Sequence, residues 1–185
     1  MIFDKEKHCR KTIRLKGWDY SNIGAYFMTI CTYNRECLFG DISSSTMQLN
    51  EYGQITMECW KWLSCQYTYI EIDEWAVMPN HLHGIVIING DCRGGSRTDC
   101  RGGSRTAPTD VIKHKPLGRL IGAFKTVSTK QINIIRNISG VPVWQRNYYE
   151  HIIRNEDELN RIRQYIIENP FRWEDDPENP KNINR

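Results

Sequence analysis

His81 and His83 flank Leu82 near the middle of a 185-residue chain, at the spacing of two side chains on one face of a β-strand. Two imidazoles on one strand face make half of a divalent-metal site; two satisfied histidines on a half-exposed strand are the plainer alternative. Near the C-terminus, Tyr165 and Asn169 stand four residues apart, so on a helix both project from one face. Where that face meets the histidine strand, two imidazoles and an amide oxygen hold a cation beside a phenol. Such a group suits phosphodiester chemistry, with the cation screening the phosphate and the phenolate attacking phosphorus to form a covalent intermediate. An ordinary phenol titrates near pH ~10, so the cation and nearby positive charge must carry much of its activation. Packing of Tyr165 into a helix–sheet interface is the alternative role for the ring.

The elements that must position these residues read in the order strand, helix, strand, strand, long loop, helix, strand, helix. Ala25 to Tyr33, aromatic and β-branched, is the first strand. Leu49 to Leu63 is a helix with Tyr52, Ile55, Cys59 and Trp62 as its buried stripe. Ile70 to Val77 and His81 to Ile88 are strands joined through Pro79-Asn80. Pro116 opens the next helix, whose stripe is Leu117, Leu120, Ile121, Phe124 and Val127. Val141 to Ile153 is extended and ends in a strand. Asn155 with Glu158 resembles a capping box, so the last helix starts there, packs through Leu159, Ile162 and Ile166, and stops at Pro170.

Length and composition set limits on function. The chain suits one domain with a sizeable core, and its 39% hydrophobic content with six Trp and nine Tyr argues against disorder. It carries neither an apolar run long enough for a bilayer nor a signal-peptide core, which implies no membrane and a cytoplasmic location. Seven cysteines without a CxxC pair read as reduced thiols. Net charge is only +3, yet Lys5 to Lys16 and residues 93–130 are strongly basic, while 173–185 form an acidic tail. Basic surface with aromatics nearby suits nucleic acid. Cys92-Arg93-Gly94-Gly95-Ser96-Arg97-Thr98 recurs as Cys100 to Thr106, within a flexible basic loop over about 89–110. A structural zinc site from Cys92, Cys100, His81 and His83 is a further alternative.

Met78-Pro79-Asn80-His81-Leu82-His83-Gly84, Trp144-Gln145-Arg146-Asn147-Tyr148-Tyr149-Glu150-His151 and Arg163-Gln164-Tyr165-Ile166-Ile167-Glu168-Asn169-Pro170 together resemble the single-tyrosine HUH transposases, and within them the REP-associated tyrosine transposase branch. Arg14-Leu15-Lys16-Gly17-Trp18-Asp19-Tyr20 and the strand after Gly24 resemble the same branch, so the likeness spans about residues 14–172 in order. It implies a ferredoxin-like α+β domain, an antiparallel sheet with helices packed on it and a C-terminal helix carrying the tyrosine. It implies Tyr165 as the nucleophile, joined to a DNA 5′ end as a 3′ hydroxyl is released, with His81, His83 and Asn169 on Mg²⁺ or Mn²⁺. Arg14, Lys16, Arg119, Lys125 and Arg146 would contact single-stranded or hairpin DNA. Tyr148 and Tyr149 are rival nucleophiles, set aside because the family's tyrosine rides the final helix. A monomer and a homodimer exchanging that helix are both open. So is a domesticated hairpin-binding protein without transposition activity.

Overall fold

A computed structural model describes residue 15 and residues 17–90 and 114–182. Arg14, Lys16, the tandem repeat and both of its cysteines lie outside the described residues. Strands β1 (Gly24–Cys31), β4 (Ile70–Val77), β5 (His81–Ile88) and β6 (Tyr149–Ile153) form one sheet in the order β4-β5-β1-β6, every neighbour antiparallel. Helix α1 (Glu51–Gln66) connects β1 to β4, and α2 (Leu117–Ile135) connects β5 to β6. That βαββαβ order with β1 central is the ferredoxin-like arrangement. Helix α3 (Glu156–Glu168) follows β6.

Strand alternation sorts the sheet into two faces. Leu82, Tyr26, Met28 and Ile30 point into the main core with Trp60 and Leu63 of α1 and Leu120 and Phe124 of α2. Phe27, Ile85 and Ile153 point the other way, against Leu159 and Ile166 of α3. His81 and His83 belong to this second face, since Leu82 between them is on the first. Gly84 turns to the α1 side, where a Cβ would stand 2.4 Å from Trp60 Cζ2. Trp60 can lie against β5 only because Gly84 has no side chain. Gly84→Ala should therefore cost about 1–3 kcal/mol by overpacking, seen as a lowered Tm; an unchanged Tm would contradict this packing.

Short hairpin strands β2 (Gly40–Ser43) and β3 (Thr46–Leu49) are absent from the sequence-based reading. Their turn is Ser44-Ser45, both at positive φ (49° and 60°), where Asn-Gly is the usual signal. Gly40, at φ 136°, leaves room for the backbone carbonyl of Gln48, which a Cβ would strike. Helix α1 begins at Glu51, two residues later than expected, because Asn50 caps it by accepting a bond from Gly53 N. Helix α2 is longer than its apolar stripe suggested, running on to Ile135. No described helix is long and apolar enough to cross a membrane.

The acidic C-terminal segment is not a tail outside a core ending at 172. After a 3₁₀ turn at Trp173–Asp175 it folds back, burying Asp176 and Asn179. Arg35 pairs with Glu178 at 2.7 Å, Asn80 donates to the Glu178 carbonyl at 2.7 Å, and Asn179 donates to the Trp173 carbonyl at 2.8 Å. These bonds, two of them from residues far back in the chain, offset the solvation that an acidic stretch otherwise seeks.

Candidate active site

The site is assembled from β5, α3 and the returning segment. His81 and His83 are almost wholly buried, with their Nε2 atoms 3.0 Å apart. Asn80 orients the first ring. Its amide nitrogen donates to the carbonyls of Arg35 and Glu178, so its Oδ1 faces His81 Nδ1 at 2.9 Å and accepts the proton there. His81 Nε2 thus keeps its lone pair. His83 Nδ1 lies 2.9 Å from Thr29 Oγ1. A hydroxyl both donates and accepts, so His83 can hold its proton on either nitrogen. Phe27 stacks on the His83 ring and meets the Tyr165 ring edge-on, fixing both.

Helix α3 delivers the phenol. Asn155 caps it by accepting from Glu158 N, while the Glu158 carboxylate accepts from Arg154 N rather than completing a reciprocal box with Asn155. Arg163 clamps Asp73 of β4 in two-toothed fashion, its shortest bond 2.6 Å, which sets the helix over β4 and β5. Tyr165 then reaches His83 Nε2 at 3.3 Å within one chain, so no second copy is needed to bring them together. Asn169, one turn on, is buried beside His81 and Tyr165.

Asp176 is the member that sequence reasoning missed. Its Oδ2 is 3.8 Å from His81 Nε2, and with His83 these groups form a cluster whose candidate ligand atoms all lie within 4.8 Å. Trp173, just before it, sets its ring 6.0 Å from that of His81. Glu174, Asp175 and Asp176 are adjacent acids, and nothing in their order singles out the third.

Burial dominates the electrostatics. It pushes His83 down to about 3, and with His83 and the Arg35 cation as neighbours it holds His81 well below the ordinary imidazole range. Both rings are neutral near pH ~7, the form that ligates metal. Burial, then the Asp176 carboxylate, pushes the Tyr165 phenol up to about 12. Burial also raises Asp176.

A divalent cation fits this donor set. Asn169 Oδ1 and Asp176 Oδ2 are buried with no hydrogen bond reaching them, beside an imidazole lone pair. A buried acceptor left without a hydrogen bond is costly, and a cation would satisfy it. Imidazole nitrogen with carboxylate and amide oxygen suits Mg²⁺, Mn²⁺ and similar ions.

The residues expected on DNA are scattered. Lys125 is turned inward: its ammonium donates to the carbonyls of Gln145, Arg146 and Asn147 at 2.8–3.4 Å and lies over the Tyr148 ring. Burial lowers it to about 8. Half-buried, it staples the 145–147 loop. Arg119 is exposed on α2, in the layer across the sheet from Tyr165, and Arg146 is exposed on the stapled loop.

An uncharacterized protein of Haemophilus influenzae is 40% identical over 169 residues, covering 91% of this chain and 92% of its own length. Among solved structures, a REP-associated tyrosine transposase bound to a REP hairpin matches with a TM-score of 0.57 and 18% identity, over 89% of this chain and 74% of that one. That likeness is one of fold. No family model matches the chain.

Proposed function

We infer, for a chain that belongs to one family with the Haemophilus influenzae protein and has the fold of a REP-associated tyrosine transposase, that it nicks and rejoins single-stranded DNA through a phosphotyrosine. The observation that carries this reading is the Tyr165 hydroxyl 3.3 Å from a neutral, buried imidazole pair ringed by unsatisfied oxygens. A bound Mg²⁺ or Mn²⁺ would polarise the scissile phosphate and screen its charge. His81, His83, Asn169 and Asp176 would hold it. Tyr165 supplies the attacking oxygen: as its proton leaves, a P–O bond to it forms, the bond to the 3′ oxygen breaks, and that oxygen takes up a proton to depart as the 3′ hydroxyl. Arg163 and Phe27 hold the ring in place, so attack needs little reorganisation.

The solved transposase carries a REP hairpin, and a hairpin or palindromic strand is the substrate we assign to this chain. The test is a labelled hairpin oligonucleotide with single-stranded flanks, incubated with Mn²⁺ and run on a denaturing gel. A conjugate of protein and DNA together with a shortened strand ending in a 3′ hydroxyl is expected. Binding without any conjugate would leave a hairpin-binding protein, and cleavage persisting in chelator would remove the metal's role.

A further inference from the structure

Helix α3 lies over β4 and β5, and the neighbouring part of the same sheet face is open. A pocket of about 340 Å³ occupies it, floored by Phe27 of β1 with Tyr149 and His151 of β6, and walled by Arg161, Ile162 and Tyr165 of α3. Strand register places Tyr149 opposite Thr29, which is itself opposite His83, so the pocket is one strand from the histidine pair. Tyr149, the first residue of the edge strand β6, is 49% exposed and meets Phe27 edge-on at 6.2 Å.

The charges suit a nucleotide. Arg161 is exposed at the rim, with one long bond to the Asp157 carbonyl at 3.4 Å. Glu158, the acid in the wall, is engaged by His151 at 2.8 Å and by Arg154 N. An exposed aromatic ring with a cation on the same pocket wall can stack an unpaired base and meet its phosphate.

We propose that this pocket takes an unpaired DNA base next to the scissile phosphate, stacked on Tyr149 with its phosphate toward Arg161. The proposal rests on the strand-nicking reading and adds where the flanking nucleotide sits. Tyr149 is then a positioning residue: it seats the strand so that phosphorus faces Tyr165.

The experiment compares a blunt hairpin with one carrying a single-stranded flank, a fluorescent adenine analogue being walked along the flank, in chelator so that no strand is cut. With native protein, quenching is expected at one flank position. Tyr149→Ala should bind the flanked hairpin roughly tenfold more weakly, lose the quenching and bind the blunt hairpin as before. Tyr149→Trp should keep both properties. Given Mn²⁺, Tyr149→Ala should still form the conjugate at saturating DNA, with a raised half-saturating concentration. Equal flank affinity and quenching in Tyr149→Ala would overturn the proposal, as would equal loss for both hairpins. A native protein that forms the conjugate while either result holds would leave the strand-nicking reading standing. Native protein that binds neither hairpin would remove both.

Discussion

Tyr165→Phe should abolish the covalent conjugate while leaving hairpin binding and the fold unchanged. The substitution removes one oxygen from a ring that is 40% exposed and whose hydroxyl meets His83 Nε2 at 3.3 Å and lies beside Asn169. The stability change should stay within about 1 kcal/mol, the scale of one modest hydrogen bond. The packing that sets α3, through Leu159, Ile166 and the Arg163–Asp73 clamp, does not involve that oxygen. Chemistry, by contrast, has no other phenol at the histidine pair. Tyr149 lies on β6, 6.2 Å ring to ring from Phe27, and Tyr148 sits under the Lys125 ammonium. Conjugate yield should therefore fall to background on a denaturing gel. An undiminished yield would move the nucleophile to another side chain.

Loss of the imidazole pair should have the second large effect, read as metal binding rather than as activity. His81→Ala and His83→Ala each remove a ligand from a cluster with few alternatives, and specific Mn²⁺ binding should disappear in calorimetry or paramagnetic resonance. Asn80→Ala leaves all proposed ligands but frees the His81 ring to rotate and to place its proton on Nε2. Outer-shell partners of this kind are worth about 10–100-fold in metal affinity, and a loss of that size is expected. Asp176→Asn keeps the shape and removes the carboxylate that joins the histidine pair, so it too should weaken binding while the protein stays folded. Mn²⁺ affinity indifferent to all four substitutions would place the ion elsewhere.

Much of the site was legible because its signals are local. Alternation across β5 puts His81 and His83 on one face whatever the rest of the chain does, and the four-residue step from Tyr165 to Asn169 fixes their shared helix face. The Asn155 cap likewise announces α3 from four residues, Asn155 to Glu158. Features decided by long-range contact were not legible. Asp176 reaches the histidines only because Arg35 and Asn80, far back in the chain, hold the turn around Glu178. Nor does the sequence show that Lys125 holds three carbonyls of a loop twenty residues on. The β2–β3 hairpin carries no Asn-Gly signal, because two serines occupy its left-handed turn positions.

The most direct measurement is peptide mapping of the conjugate by mass spectrometry after native protein has reacted with a flanked hairpin and Mn²⁺, followed by protease and nuclease digestion. The account predicts one modified peptide, carrying a nucleotide through its 5′ phosphate on the oxygen of Tyr165. A nucleotide on Tyr148, Tyr149 or any other residue would contradict it.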